Sequence, residues 1–237
     1  MSASRAEILR NIRLALAKPA QAQHDGHHKT IGDMANLFRS ASAKDHLVEK
    51  FQTEFELVSG EFIRCSNDEQ ALHGLCELIQ SAGVRTVAIS DHQICERLQL
   101  NEALQPPLPD IQVSKESIDS ESSYERHHLK RTLSHFRLSV TGAEFLIAES
   151  GTIVVITGAQ ASRQISLLPE IHVVLATPPQ IYPNLAEVFQ LIQEEKRTFP
   201  GSAITLITGP SRTADIEKVL IKGVHGPTRI VTIMLEA

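Results

Sequence analysis

The sequence predicts an open α/β fold: a largely parallel sheet with helices on both faces, plus a helical extension at the N-terminus. Three observations carry this. β-branched runs alternate with capped amphipathic segments through the body of the chain. Strand, helix and strand follow in order between Phe62 and Ile89, a spacing that fits a βαβ unit and therefore parallel strands joined by a right-handed crossover. The chain has 237 residues, 42% hydrophobic and 22% charged, enough for one large domain with an appendage.

Taken in order, Ser4-Arg5-Ala6-Glu7 has the form of a capping box. Ile8, Leu9, Ile12 and Leu16 then make one apolar stripe, and Pro19 ends the helix. The polar stretch from Ala20 to Lys29 reads as a mobile linker. Residues 1–30 are thus an amphipathic helix on a tether, suited to docking on a partner, and residues 31–237 form the α/β domain. Ser42-x-x-Asp45 opens a helix bearing Leu47, Val48, Phe51 and Phe55. Phe62–Cys65 is a strand, Ser66-x-x-Glu69 caps the next helix, Gly83 ends it, and Thr86–Ile89 is the second strand. A short helix covers Ile94–Leu100, a short strand Ile111–Val113, and a polar helix residues 122–135. Glu144–Ala148 and Thr152–Ile156 are two β-rich runs joined by a glycine-containing bend. Ile171–Ala176 is a strand, Asn184-x-x-Glu187 caps a helix, and Ala203–Thr208 is a strand. Ile216, Val219 and Leu220 have helical spacing up to Lys222, and Arg229–Met234 is the last strand.

Composition excludes several functions. Net charge is −5 and aromatics make up 4%, with no Trp, so nothing favours nucleic acid or an anionic membrane surface. No apolar run approaches the ~20 residues of a membrane span, and the N-terminus lacks an apolar leader. A cytoplasmic protein is expected. Cys65, Cys76 and Cys95 are widely spaced without a CxxC, so neither an iron–sulfur cluster nor a structural metal is expected in this chain.

Three segments can carry chemistry. In Gly209-Pro210-Ser211-Arg212-Thr213 a strand breaks just before the expected helix. Unpaired N–H groups at a helix start, two hydroxyls and a bidentate cation suit a small carboxylate or phosphate. The same residues also fit turn chemistry and a helix cap. Glu149-Ser150-Gly151-Thr152 sets a carboxylate and two hydroxyls in a turn, where a solvent-exposed bend is the alternative. In Gly223-Val224-His225-Gly226-Pro227 a histidine stands between glycines. The candidate ligand-binding residues are therefore Gly209, Ser211, Arg212, Thr213, Ser150 and Thr152, and the candidate catalytic residues are Glu149 and His225. No Walker loop, GxGxxG, HExxH or nucleophile elbow occurs.

These stretches resemble the lactate utilisation protein C family, whose members carry a LUD domain. The resemblance rests on Thr141–Glu144 through Ala148–Thr152, on Ser166–Val173, and on Thr208–Glu217 with Gly223–Pro227. It implies a Rossmann-like fold related to sugar-phosphate isomerases, CoA transferases and formyltetrahydrofolate cyclo-ligase. It also implies a part in bacterial L-lactate oxidation to pyruvate, beside companion iron–sulfur subunits that carry the clusters. On that reading the chain is an accessory or substrate-handling subunit within the complex, and Arg212 meets a carboxylate. The alternatives are an autonomous CoA-transferase-like or cyclo-ligase-like enzyme using Glu149, and a regulatory module that senses a small anion.

Overall fold

A computed structural model describes residues 44–115, 135–157, 163–194, 203–216, 219–222 and 226–236. The expected N-terminal helix and linker, nearly all of the polar helix at 122–135, and His225 lie outside the described residues.

The chain runs α1 (Lys44–Leu57), β1 (Glu61–Cys65), α2 (Asp68–Ser81), β2 (Thr86–Ile89), α3 (Gln93–Arg97), α4 (Leu100–Ala103) and β3 (Gln112–Lys115). Then come β4 (Leu138–Gly142), β5 (Phe145–Ile147), β6 (Thr152–Thr157), β7 (Ile171–Ala176), β8 (Ile181–Tyr182) and α5 (Leu185–Glu194). The last elements are β9 (Ala203–Ile207), β10 (Arg212–Ile216), β11 (Val219–Lys222) and β12 (Arg229–Leu235).

Six strands form one parallel sheet in the order β1-β12-β7-β4-β2-β3. The expected βαβ unit exists, but β12, β7 and β4 lie between its two strands. The glycine-containing bend does make an antiparallel β5–β6 hairpin. Rather than lying inside the main sheet, the hairpin belongs to a second, four-stranded sheet, β8-β5-β6-β9.

Burial explains the layering. Alternate residues of the parallel strands (Val87, Leu138, Val140, Val173, Val231, Ile233) pack against Leu75 and Ile79 of α2 and against α3 and α4. The opposite residues, Val174, Ile230 and Met234, meet Val48, Phe51 and Phe55 of α1 together with Leu146 and Ile153 of the second sheet. The far face of that sheet buries Phe145, Ile147 and Val154 under Val188 and Ile192 of α5. Helices therefore cover both faces of the main sheet, and on one face the small sheet shares the task.

Two local expectations need correction. The cap of α2 lies one residue later than the capping box implied: Asn67 Oδ1 accepts from the Gln70 N–H at 2.9 Å, and the Ser66 N–H donates to Gln70 Oε1 instead. The segment expected to be helical up to Lys222 is the antiparallel pair β10–β11. The i, i+3, i+4 spacing of Ile216, Val219 and Leu220 suits a helix, but Val219-Leu220-Ile221 is also a short apolar run. Periodicity alone does not separate the two over so few residues.

Candidate functional site

In the parallel sheet β2 leads outward to β3 at one edge, whereas β4, β7 and β12 build the other way. β2 and β4 are neighbours, so the winding reverses between them, and a crevice opens beyond their carboxyl ends. In open α/β sheets that is where ligands bind.

Two short segments enter the crevice. After β2 the Ser90 N–H donates to Val140 O at 2.9 Å, which fixes the exit of the chain. His92 follows as the N-cap of α3, its Nδ1 accepting from the Ile94 N–H at 3.2 Å. An imidazole nitrogen that accepts from an amide carries no proton, so the neutral ring holds its proton on Nε2. After β4 come Gly142, Ala143 and Glu144. A Cβ at Gly142 would lie 2.0 Å from His92 Nδ1, so only glycine lets the ring rest on this strand end.

Glu144 is held at both ends. Its N–H donates to Val154 O at 3.0 Å, and its Oε2 accepts from the Ile156 N–H at 2.7 Å. The preceding carbonyl, of Ala143, accepts from Gln180 Nε2. Gln180 is itself fixed, because its Oε1 accepts from the Thr177 N–H at 2.6 Å. His92 Nε2 and Glu144 Oε1 then stand 3.8 Å apart, with side chains 24% and 16% exposed. That gap is too long for a hydrogen bond. Burial pushes the Glu144 carboxyl up to about 7, against the opposing pull of the amide hydrogen bonds, and lowers the affinity of His92 for a second proton. The result is a carboxyl that exchanges its proton near neutral pH beside a fixed N–H donor. These are the parts of general acid–base chemistry.

The residues singled out by sequence lie elsewhere. Glu149 Oε1 accepts from the Leu185 N–H at 2.9 Å, at the start of α5. Ser150 Oγ meets Thr152 Oγ1 at 2.8 Å, and Thr152 Oγ1 meets Thr208 Oγ1 at 2.7 Å. The structure thus joins the two predicted turns through a line of hydroxyls. Gly151 and Gly209 have φ of +58° and +82° and press on the end of α1, where Cβ atoms would lie 2.3 Å from Phe55 N and 2.5 Å from Val58 O. Arg212 donates to Val58 O at 2.8 Å and to Ser59 Oγ at 2.5 Å. The Ser211 N–H donates to Pro227 O, just before β12 begins. This group therefore lies at the amino ends of the parallel strands, opposite Glu144. Thr213 lies in β10, so no helix N-terminus contributes amide groups beside Arg212.

Sequence reasoning missed His92 and Glu144. The available signal was a polar residue two or three positions after each of two buried strands, with Gly142 at the end of one. It becomes specific only when the strand order makes them neighbours. Among the described residues no group of three or more His, Cys, Asp or Glu side chains is placed to hold a metal ion. No described helix is long and apolar enough to cross a membrane.

Fold and crevice define an open parallel α/β protein with a half-buried carboxyl–imidazole pair at its switch point. The LUD domain family model matches residues 48–235, and the chain belongs to that family. It is 26% identical to the uncharacterized protein YkgG of Escherichia coli K12 over 238 residues, 98% of either chain. It is also 34% identical to lactate utilization protein C 1 of Bacillus mycoides over 42% of this chain and 43% of that one. To lactate utilization protein C of Anoxybacillus flavithermus it is 37% identical over 41% and 43%. The chain thus matches less than half the length of those lactate utilization proteins. The crystal structure of a DUF162 family protein from Deinococcus radiodurans superposes with a TM-score of 0.57 at 19% identity, covering 82% of this chain and 99% of that one. That likeness supports the fold.

Proposed function

We propose that this chain serves bacterial L-lactate utilisation as a substrate-handling subunit without an iron–sulfur cluster of its own, and that Glu144 is its proton-accepting group. The observation that carries the reading is the Glu144 carboxyl, half-buried at the switch point and exchanging its proton at about 7 beside the fixed Nε2–H of His92. The names of the relatives supply the substrate. Oxidation of a 2-hydroxy acid to a 2-oxo acid removes the hydroxyl proton and, with the Cα hydrogen, two electrons. Ionised Glu144 accepts the hydroxyl proton, and the His92 Nε2–H donates a hydrogen bond to the substrate oxygen. The Cα hydrogen leaves as a proton to water and two electrons, and iron–sulfur clusters of partner subunits would take up the electrons. Glu149 is committed to the start of α5, so no observation favours a mechanism that uses it as a nucleophile.

The test is lactate-dependent growth of a strain lacking the protein, complemented with single variants at equal protein level. Glu144→Gln keeps the size and the hydrogen bond from Ile156 but cannot accept a proton; it is expected to abolish growth on lactate while growth on glucose is unaffected. Arg212→Ala, at the other end of the sheet, is expected to leave growth nearly intact. The reverse pattern would move the working site to the Gly209–Thr213 turn, with Arg212, Ser211 and Thr213 holding the carboxylate.

A further inference from the structure

The face of the parallel sheet that meets α1 and the second sheet carries a polar patch in an otherwise apolar layer. Side chains alternate along a strand, and Leu138, Val140, Val173, Val231 and Ile233 point to the other face. Ser139 and Thr141 of β4, His172 of β7 and Thr232 of β12 therefore share this face with Val174, Ile230 and Met234. Ser139 is the register neighbour of His172, and Thr141 and Thr232 flank Val174 two residues further along. Ser139, His172 and Thr232 are 0% exposed and Thr141 2%. Thr141 Oγ1 and His172 Nε2 satisfy one another at 2.8 Å. Among the described residues, Ser139 Oγ, His172 Nδ1 and Thr232 Oγ1 have no hydrogen-bond partner. An unpaired buried polar atom costs its full desolvation, and native cores rarely leave one so. Here such atoms fall on three adjacent strands, and strands lie about 4.8 Å apart.

We infer that ordered internal water is bound on this face, with His172 Nδ1, Ser139 Oγ and Thr232 Oγ1 as its partners. The groups present select the ligand. The other side chains of these strands on this face are Thr141, Val174, Ala176, Ile230 and Met234, so no fixed charge balances an ion. Burial also holds the His172 ring neutral. Complete burial favours the smallest neutral molecule that both donates and accepts, and internal water takes two to four polar partners. Water also serves the imidazole whichever ring nitrogen holds the proton, because it can donate to one group and accept from another. This hydration does not depend on the role given to Glu144.

The test is magnetic relaxation dispersion of the water oxygen in solutions of the full chain. It reports water that tumbles with the protein and is blind to exchanging hydroxyl protons. Ser139→Ala/Thr232→Val removes both hydroxyls and leaves the water only His172 Nδ1 of its three partners, too few to hold it. The dispersion amplitude should fall below that of the parent, and the melting temperature should drop by about 2–4 °C. If the double variant does not fold, Thr232→Val alone keeps the side-chain shape and gives the same two readings. Dry hydroxyls predict the opposite, since removing an unpaired buried oxygen stabilises and leaves the amplitude unchanged. In a folded variant, an amplitude equal to the parent's or a higher melting temperature would overturn the inference.

Discussion

Glu144 makes folding stability depend on pH in a direction opposite to that of ordinary carboxylates. Its carboxyl exchanges at about 7 in the folded chain against the usual 4.5. Below pH 4.5 both folded and unfolded chains hold the proton, and this residue's contribution is fully present. Between 4.5 and about 7 only the unfolded chain releases the proton, so stability falls as pH rises, by on the order of 3 kcal/mol in all. Glu144→Gln is therefore expected to raise the melting temperature at pH 8 relative to the parent and to change it little at pH 5. His172 works the other way. It is fully buried, its Nε2 lies 2.8 Å from Thr141 Oγ1, and burial brings its pKa down to about 3 from the usual 6.5. Between those values only the unfolded chain gains a proton, so acidification destabilises. His172→Leu should shrink the stability difference between pH 7 and pH 4, as followed by urea melts at each pH. Gly142→Ala addresses the site itself. Its Cβ must displace the imidazole of His92 rather than backbone, so loss of growth on lactate with a folded chain is expected.

At the scale of elements, most strands and helices could be read from the sequence, because each is short, apolar and bounded by its own caps. α5 illustrates this: Asn184 Oδ1 accepts from the Glu187 N–H at 3.0 Å, as the spacing implied. What could not be read was partnership. Nothing local distinguishes β5 and β6, which leave the main sheet, from β4 and β7, which stay in it. The crevice was hidden for the same reason, since His92 and Glu144 are far apart in sequence and meet only through the β2–β4 pairing. The Gly209–Arg212 turn shows the converse: its unusual residues were visible, but their purpose is set by what packs on them. Gly209→Ala would drive a Cβ into Val58 O from a left-handed backbone, and a loss of about 2–4 kcal/mol is expected in urea melts. Arg212→Ala removes two hydrogen bonds at an exposed side chain and should cost only about 1 kcal/mol in the same measurement.

For the molecule as a whole, the decisive feature is where the last strand goes. β12 lies between β7 and β1, and among the described residues β1 has no other partner in the sheet. Its Val231, Ile233 and Leu235 complete one core, while Ile230 and Met234 complete the other. A chain ending at residue 228 is expected to lose β1 and with it the support of α1 and α2, giving no cooperative thermal transition by circular dichroism. The same placement matters during synthesis. β2, β3, β4 and β7 can pair as they emerge, but β1 must wait through some 160 further residues. At about 5–20 residues per second that wait is on the order of ten seconds or more. Throughout it, Phe62 and Cys65 remain unsheltered and α2 lacks its seat, so the sheet stays open until β12 has emerged. The closing step comes late in synthesis, within reach of any chaperone that holds the nascent β1.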